Sequence, residues 1–145
     1  MAYSTQAQVQ VRAGGEAGLV ALADHDGDTL VDTDVVDSAI ADADRLINTY
    51  AAKQFTVPFD PVPTVIESMS ARMAVYFLRS YRGVLTREDI EAHTADQLWL
   101  KALADGEVIP DQDPVPPKHS IRQDASSSEM PSSRDVSRKK LRGFW

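Results

Sequence analysis

The chain has 145 residues, with 15 Lys or Arg against 22 Asp or Glu for a formal net charge of -7, and no cysteine. That length suits one domain with room for an appendage. The missing thiols exclude a disulfide framework and a thiolate metal centre, while the 43% hydrophobic share fits a globular chain.

The opening "MAYSTQAQVQ" has neither a basic n-region nor an apolar h-region, so no signal peptide is expected. No uninterrupted apolar run approaches a membrane span. Ser4 or Thr5 can cap a short helix through "QAQVQVRA", which Gly14-Gly15 ends. A second short apolar piece, "EAGLVALA", follows.

The next stretch, "DHDGDTLVDTDV", invites comparison with a calcium loop. An EF-hand loop needs acids at its first, third and fifth positions, glycine at the sixth and a bidentate Glu at the twelfth. Asp24, Asp26 and Asp28 fit, but the sixth residue is Thr29 and the twelfth is Val35. Asp32, at the ninth, could act only through a water. The stretch reads as an acidic turn into a helix, and no metal ligand is assigned.

Thr33 or Asp34 then caps a stronger helix, with Val36, Ile40, Ala43, Ile47 and Tyr50 spaced by three and four. Asp34, Asp37, Asp42 and Asp44 are expected mostly off that stripe. "FTVPFDPVP" breaks the pattern, because Pro58, Pro61 and Pro63 deny backbone donors. Phe55, Val57 and Phe59 alternate, as in an extended strap laid on the body. Pro63 suits the first position of the following helix. That helix places Val62, Ile66, Met69, Met73, Tyr76, Phe77 and Ser80 on one face, opposite Glu67, Arg72 and Arg79.

Gly83 ends that helix, and Thr86 with Asp89 has the spacing of a capping box. The last helix is expected to pack through Ile90, Thr94, Leu98, Trp99, Ala102 and Leu103, and to close at Gly106. The predicted fold is all-α: a small bundle of four to five helices over residues 1–108. Residues 109–145, rich in proline and serine, form an extended arm that cannot bury enough surface to fold alone.

Charge divides along the same boundary. Residues 110–145 hold seven cations and five acids, so they carry +2 and residues 1–109 carry -9. An acidic body is poorly suited to grip nucleic acid over its main surface. The arm ends on Arg138, Lys139, Lys140, Leu141, Arg142, Phe144 and Trp145, a basic and aromatic cluster suited to a partner. His25, His93 and His119 have no acid and nucleophile at catalytic spacing, and no phosphate-cradling glycine loop occurs. Neither catalytic residues nor a cofactor are expected. His93 reads as a surface or core-edge residue.

The order of these motifs resembles the small head–tail joining proteins of Mu-like phages and prophages. The resemblance rests on Tyr3-Ser4-Thr5, "DHDGDTLVDTDVVDSAIADADRLINTY", "FTVPFDPVP", "ARMAVYFLRSYRG" and "DQLWLKALADGEV". It implies a non-enzymatic virion neck component, assembled in the host cytoplasm. Such an adaptor forms a ring of its own copies, typically a dodecamer, between the portal protein and a tail-side stopper or terminator. Viral DNA would pass through the lumen without sequence-specific binding, and no membrane is involved. In related adaptors an extended C-terminal segment docks on the portal, which the arm here would do. Two other readings are open: a degenerate EF-hand-like calcium module, and a nucleic-acid binder acting through its basic tail.

Overall fold

The computed structural model describes residues 1–110. Five helices follow in order: α1 (Gln6–Ala13), α2 (Glu16–Ala23), α3 (Thr33–Ala51), α4 (Thr64–Arg82) and α5 (Arg87–Ala104). No strand occurs among the described residues, so this part of the chain is all-α, as expected. The terminal cluster Arg138–Trp145 lies outside the described residues.

Helices α3 and α4 form the central pair, and the core shows how they run. Val36, Ala39 and Ile40 from the start of α3 meet Ala71, Ala74, Val75 and Leu78 from the end of α4. Ala43, Ile47 and Ala51 meet Ile66, Met69 and Met73. The two helices are therefore antiparallel. Helices α1 and α2 close the first cluster with Val9, Leu19 and Leu22. Helix α5 closes the second with Leu100 and Leu103. Each fully buried Leu, Ile or Met is worth about 1.5–3 kcal/mol relative to exposure, which makes these clusters the main source of cohesion. The strap lies over the second cluster, with Phe59 buried and Phe55 and Val57 half-buried.

Caps fix where the helices start, and some differ from the sequence expectation. Thr5, rather than Ser4, caps α1 in a reciprocal box with Gln8, while Ser4 is buried. Asp32 occupies the cap of α3 in place of Thr33 or Asp34, and its side chain makes no capping bond. That carboxylate accepts from the His25 amide instead, tying the acidic turn to the helix. Pro63 precedes α4 as its cap, one place earlier than expected, and Thr64 is the first helical residue. Thr86 and Asp89 form the expected reciprocal box on α5.

The packing face of α5 also requires correction. Ile90, Thr94 and Leu98 point outward, with Ile90 49% and Leu98 63% exposed. The buried arc is His93, Leu100, Leu103 and Ala104. Asp96, half-buried on the same side, is bonded by Arg72 of α4, and Asp89 by Arg79. These ion pairs turn the charged i, i+7 row inward and leave the apolar i, i+4, i+8 row in solvent. On α4, Ser80 is exposed rather than core-facing, and the core arc is widened by Ser70, Ala71, Ala74, Val75 and Leu78.

Candidate functional site

Four features of the bundle offer chemistry or a surface. The first is the acidic turn. Asp24 accepts from the amides of Gly27 (2.7 Å) and Thr29 (3.0 Å), Asp26 from Asp28 (3.1 Å) and Asp28 from Leu30 (2.8 Å). Successive aspartates thus serve the turn's own donors. Donation from Gly27 holds the Asp24 carboxyl below its ordinary range. Asp26 gains from the Asp28 amide, but desolvation and the charges of Asp28 and Asp32 outweigh that and raise it. One oxygen each from Asp24, Asp26 and Asp28 lies within 4.8 Å of the others, so these three residues are where a cation could be held. Thr29, at the position an EF-hand reserves for glycine, has φ 68°, in the left-handed region.

The second feature was not legible as a site in the sequence. Asp44, expected off the apolar stripe, is buried. Its Oδ2 accepts from the Tyr3 amide at 2.9 Å and its Oδ1 from the Ser70 hydroxyl at 2.6 Å. Ser4 Oγ lies 2.8 Å from Ser70 Oγ. The Tyr3 hydroxyl donates to Asn48 and accepts from the Phe59 amide at 3.0 Å. One N-terminal dipeptide therefore joins α3, α4 and the strap. Burial raises the Asp44 carboxyl above its usual range, and Ser70 and the Tyr3 amide offset part of that. Beside it lies a cavity of about 440 Å³, lined by Met1, Ala2, Asp37, Ile40, Arg45 and Asn48 among others. The signal was present: Asp44 stands four residues after Ile40 and three before Ile47, inside the buried arc.

The third feature is His93 on α5, 9% exposed. Its ring stacks on Tyr76 with centroids 3.8 Å apart and planes within 5°, and meets Phe77 edge-on. Nε2 lies 3.2 Å from Gln97 Nε2, and the buried Nδ1 has no hydrogen-bond partner. A cavity of about 70 Å³, lined by Arg72, Tyr76, Asp89 and Asp96, adjoins the ring. Desolvation lowers the basicity of the imidazole, against the opposing pull of Asp96. The residue is thus at the core edge, as its sequence context suggested.

The fourth is the outward row Ile90, Thr94 and Leu98, an apolar strip with no cover from its own chain among the described residues. No helix of the described residues is long and apolar enough to cross a membrane.

These features define a small all-α bundle distinguished by an acidic turn, a buried N-terminal polar seam and a helix face left uncovered among the described residues. The family described as Bacteriophage Mu, Gp36 matches residues 3–126, taking in all five helices, and the chain belongs to that family. It is therefore a Mu-like phage protein, of the structural or morphogenetic kind. None of the curated proteins matches it.

Proposed function

We propose that this chain is a head–tail adaptor of a tailed phage: a non-enzymatic subunit of a ring beneath the portal, in the virion neck. Beyond family membership, the distribution of charge carries this reading. Residues 16–44 hold nine acids (Glu16, Asp24, Asp26, Asp28, Asp32, Asp34, Asp37, Asp42 and Asp44) and neither Lys nor Arg. Asp26, Asp28, Asp34 and Asp37 are exposed. A wall of that character repels phosphates, so a duplex can slide past without being held. The row Ile90–Leu98 offers each subunit an apolar strip for a neighbouring copy. Head-to-tail contacts close into a ring when the rotation allows.

In this reading Arg138, Lys139, Lys140 and Arg142 pair with acidic surface on the portal or a neighbouring copy. Leu141, Phe144 and Trp145 supply apolar anchors, since large aromatics bury much area for few lost torsions. A tail-side stopper or terminator meets the opposite rim. Convergence of Asp24, Asp26 and Asp28 favours a calcium-binding module as the second reading, although the bidentate twelfth ligand is missing. A phage carrying a nonsense codon early in this gene separates the two. DNA-filled heads and complete tails that fail to join are expected, with joining restored by supplying the protein. Joined virions made without it would overturn the adaptor reading.

A further inference from the structure

Helix α5 is held in two different ways along its length. Its C-terminal end is anchored by Leu100, Leu103 and Ala104 in the core. Over Arg87–Leu98, His93 is the single buried residue, while half-buried Trp99 packs on the second cluster with the C-terminal end. Otherwise the N-terminal half is tied to α4 by the Arg72–Asp96 and Arg79–Asp89 pairs. Both pairs orient this half, but neither buries apolar surface of its own. The stacked ring is therefore the principal apolar fastening of this half.

We propose that His93 is an acid-operated latch: its neutral ring holds the N-terminal half of α5 on α4, and protonation releases that half while the C-terminal half stays docked. The geometry around the ring carries this. In one tautomer Nε2 accepts from the Gln97 amide and Nδ1–H faces no acceptor. In the other, with the Gln97 amide turned, Nδ1 is an acceptor without a donor. An imidazolium must donate from both nitrogens. Protonation therefore makes the unpaired Nδ1–H part of a buried charge, which costs far more than the neutral group left unpaired in either tautomer.

The neighbours do not supply one. From α4 the ring meets Tyr76 and Phe77, with Arg72 lining the adjoining cavity and Arg79 bonded to Asp89. From α5 itself the nearby acids are Asp89 and Asp96. Asp96 is engaged by two nitrogens of Arg72, and Asp89 by Arg79 and Thr86. Helix α3 meets the far end of α5 through Ala43, Ile47 and Ala51, which carry no charge. Asp96 is the charge that favours protonation, and desolvation outweighs it.

The sign follows from linkage. A released ring has the ordinary imidazole pKa of 6.5, and the docked ring lies below it. Docking is thus fully favoured above that value and weakens as pH falls beneath it. The loss approaches roughly tenfold in the opening equilibrium per pH unit until the docked ring also takes a proton. Asp89 is held below its ordinary value of 3.8 by its Thr86 and Arg79 partners despite some desolvation. Asp89 therefore stays ionised through the window in which His93 acts, and its own titration does not drive the release. Release uncovers Tyr76 and Phe77.

Amide hydrogen exchange on the full chain, with exchange corrected for its intrinsic pH dependence, tests the latch. Between pH 7.5 and 5, protection at residues 90–97 should drop, approaching tenfold per unit below about pH 6.5. Amides of α3 and of the first turns of α4 should hold. The drop should vanish in His93→Phe, which keeps an aromatic ring without a titrating nitrogen. The wild-type ring, followed by NMR, should titrate below the ordinary imidazole value of 6.5. Ring titration at or above 6.5, an equal drop in His93→Phe, or uniform loss across all helices would each overturn the latch. Should the variant fail to fold, the wild-type titration and the regional pattern of exchange still decide.

Discussion

Thr29 stands where the backbone is least suited to it. Its φ of 68° lies in the left-handed region, and a β-branched side chain there is rare. Left-handed geometry costs an L-residue about 1–2 kcal/mol, while glycine adopts it freely but loses more entropy on folding. Thr29→Gly should therefore stabilise the bundle by about 0.5–1 kcal/mol, read as a higher urea midpoint. A lower midpoint would mean that the Thr29 side chain makes contacts outweighing the strain. The buried carboxylate of Asp44 shows the opposite economy, in which a costly group is retained and its neighbours are shaped to it. Its raised pKa means the folded state binds the proton before the unfolded chain does. Its contribution therefore becomes more favourable as pH falls toward the ordinary carboxylate value. Asp89, with its lowered pKa, contributes above that value and loses the contribution as pH falls through it.

At the scale of elements, local signals were the legible ones. Thr5 and Thr86 open helices with the spacing of capping boxes, Gly83 closes one, and the alternating Phe55, Val57 and Phe59 mark the strap. What the sequence left hidden depends on partners distant along the chain. The orientation of α5 is set by Arg72 and Arg79 of α4, and no periodicity within α5 reports them. A stripe of Ile90, Thr94 and Leu98 is a valid apolar row, but it faces outward. The burial of Asp44 was signalled by its spacing from Ile40 and Ile47, but its partners were hidden, because Tyr3 and Ser70 lie 41 and 26 residues away. The corner between α1 and α2 adds a close approach. A Cβ on Gly18 would collide with the Ala13 carbonyl, so backbone, not a yielding side chain, occupies the space. Gly18→Ala should cost about 1–3 kcal/mol although alanine is the better helix former. Thermal melting decides this, and an unchanged or raised Tm would show that the corner adapts without cost.

For the whole molecule, the bundle joins two surfaces of unlike character. One carries the exposed acids Asp26, Asp28, Asp34 and Asp37, and the other is the α5 row left uncovered among the described residues. Membership of the bacteriophage Mu Gp36 family makes the chain a phage protein, and the proposed function gives both surfaces a role. In the proposed ring, the acids face the passing duplex and the α5 row faces a neighbour. The two assignments are linked, because a subunit that turned its acids toward an adjoining copy would set like charge against like. The acids would then repel each other across the interface instead of lining a channel. A cryo-electron microscopy reconstruction of the neck of a phage encoding this protein tests the assignment most directly. The five-helix body is expected in a closed ring directly beneath the portal, with Asp26, Asp28, Asp34 and Asp37 toward the lumen and Leu98 against the next copy. A neck whose density leaves no place for that body, or a ring with Leu98 facing the channel, would contradict it.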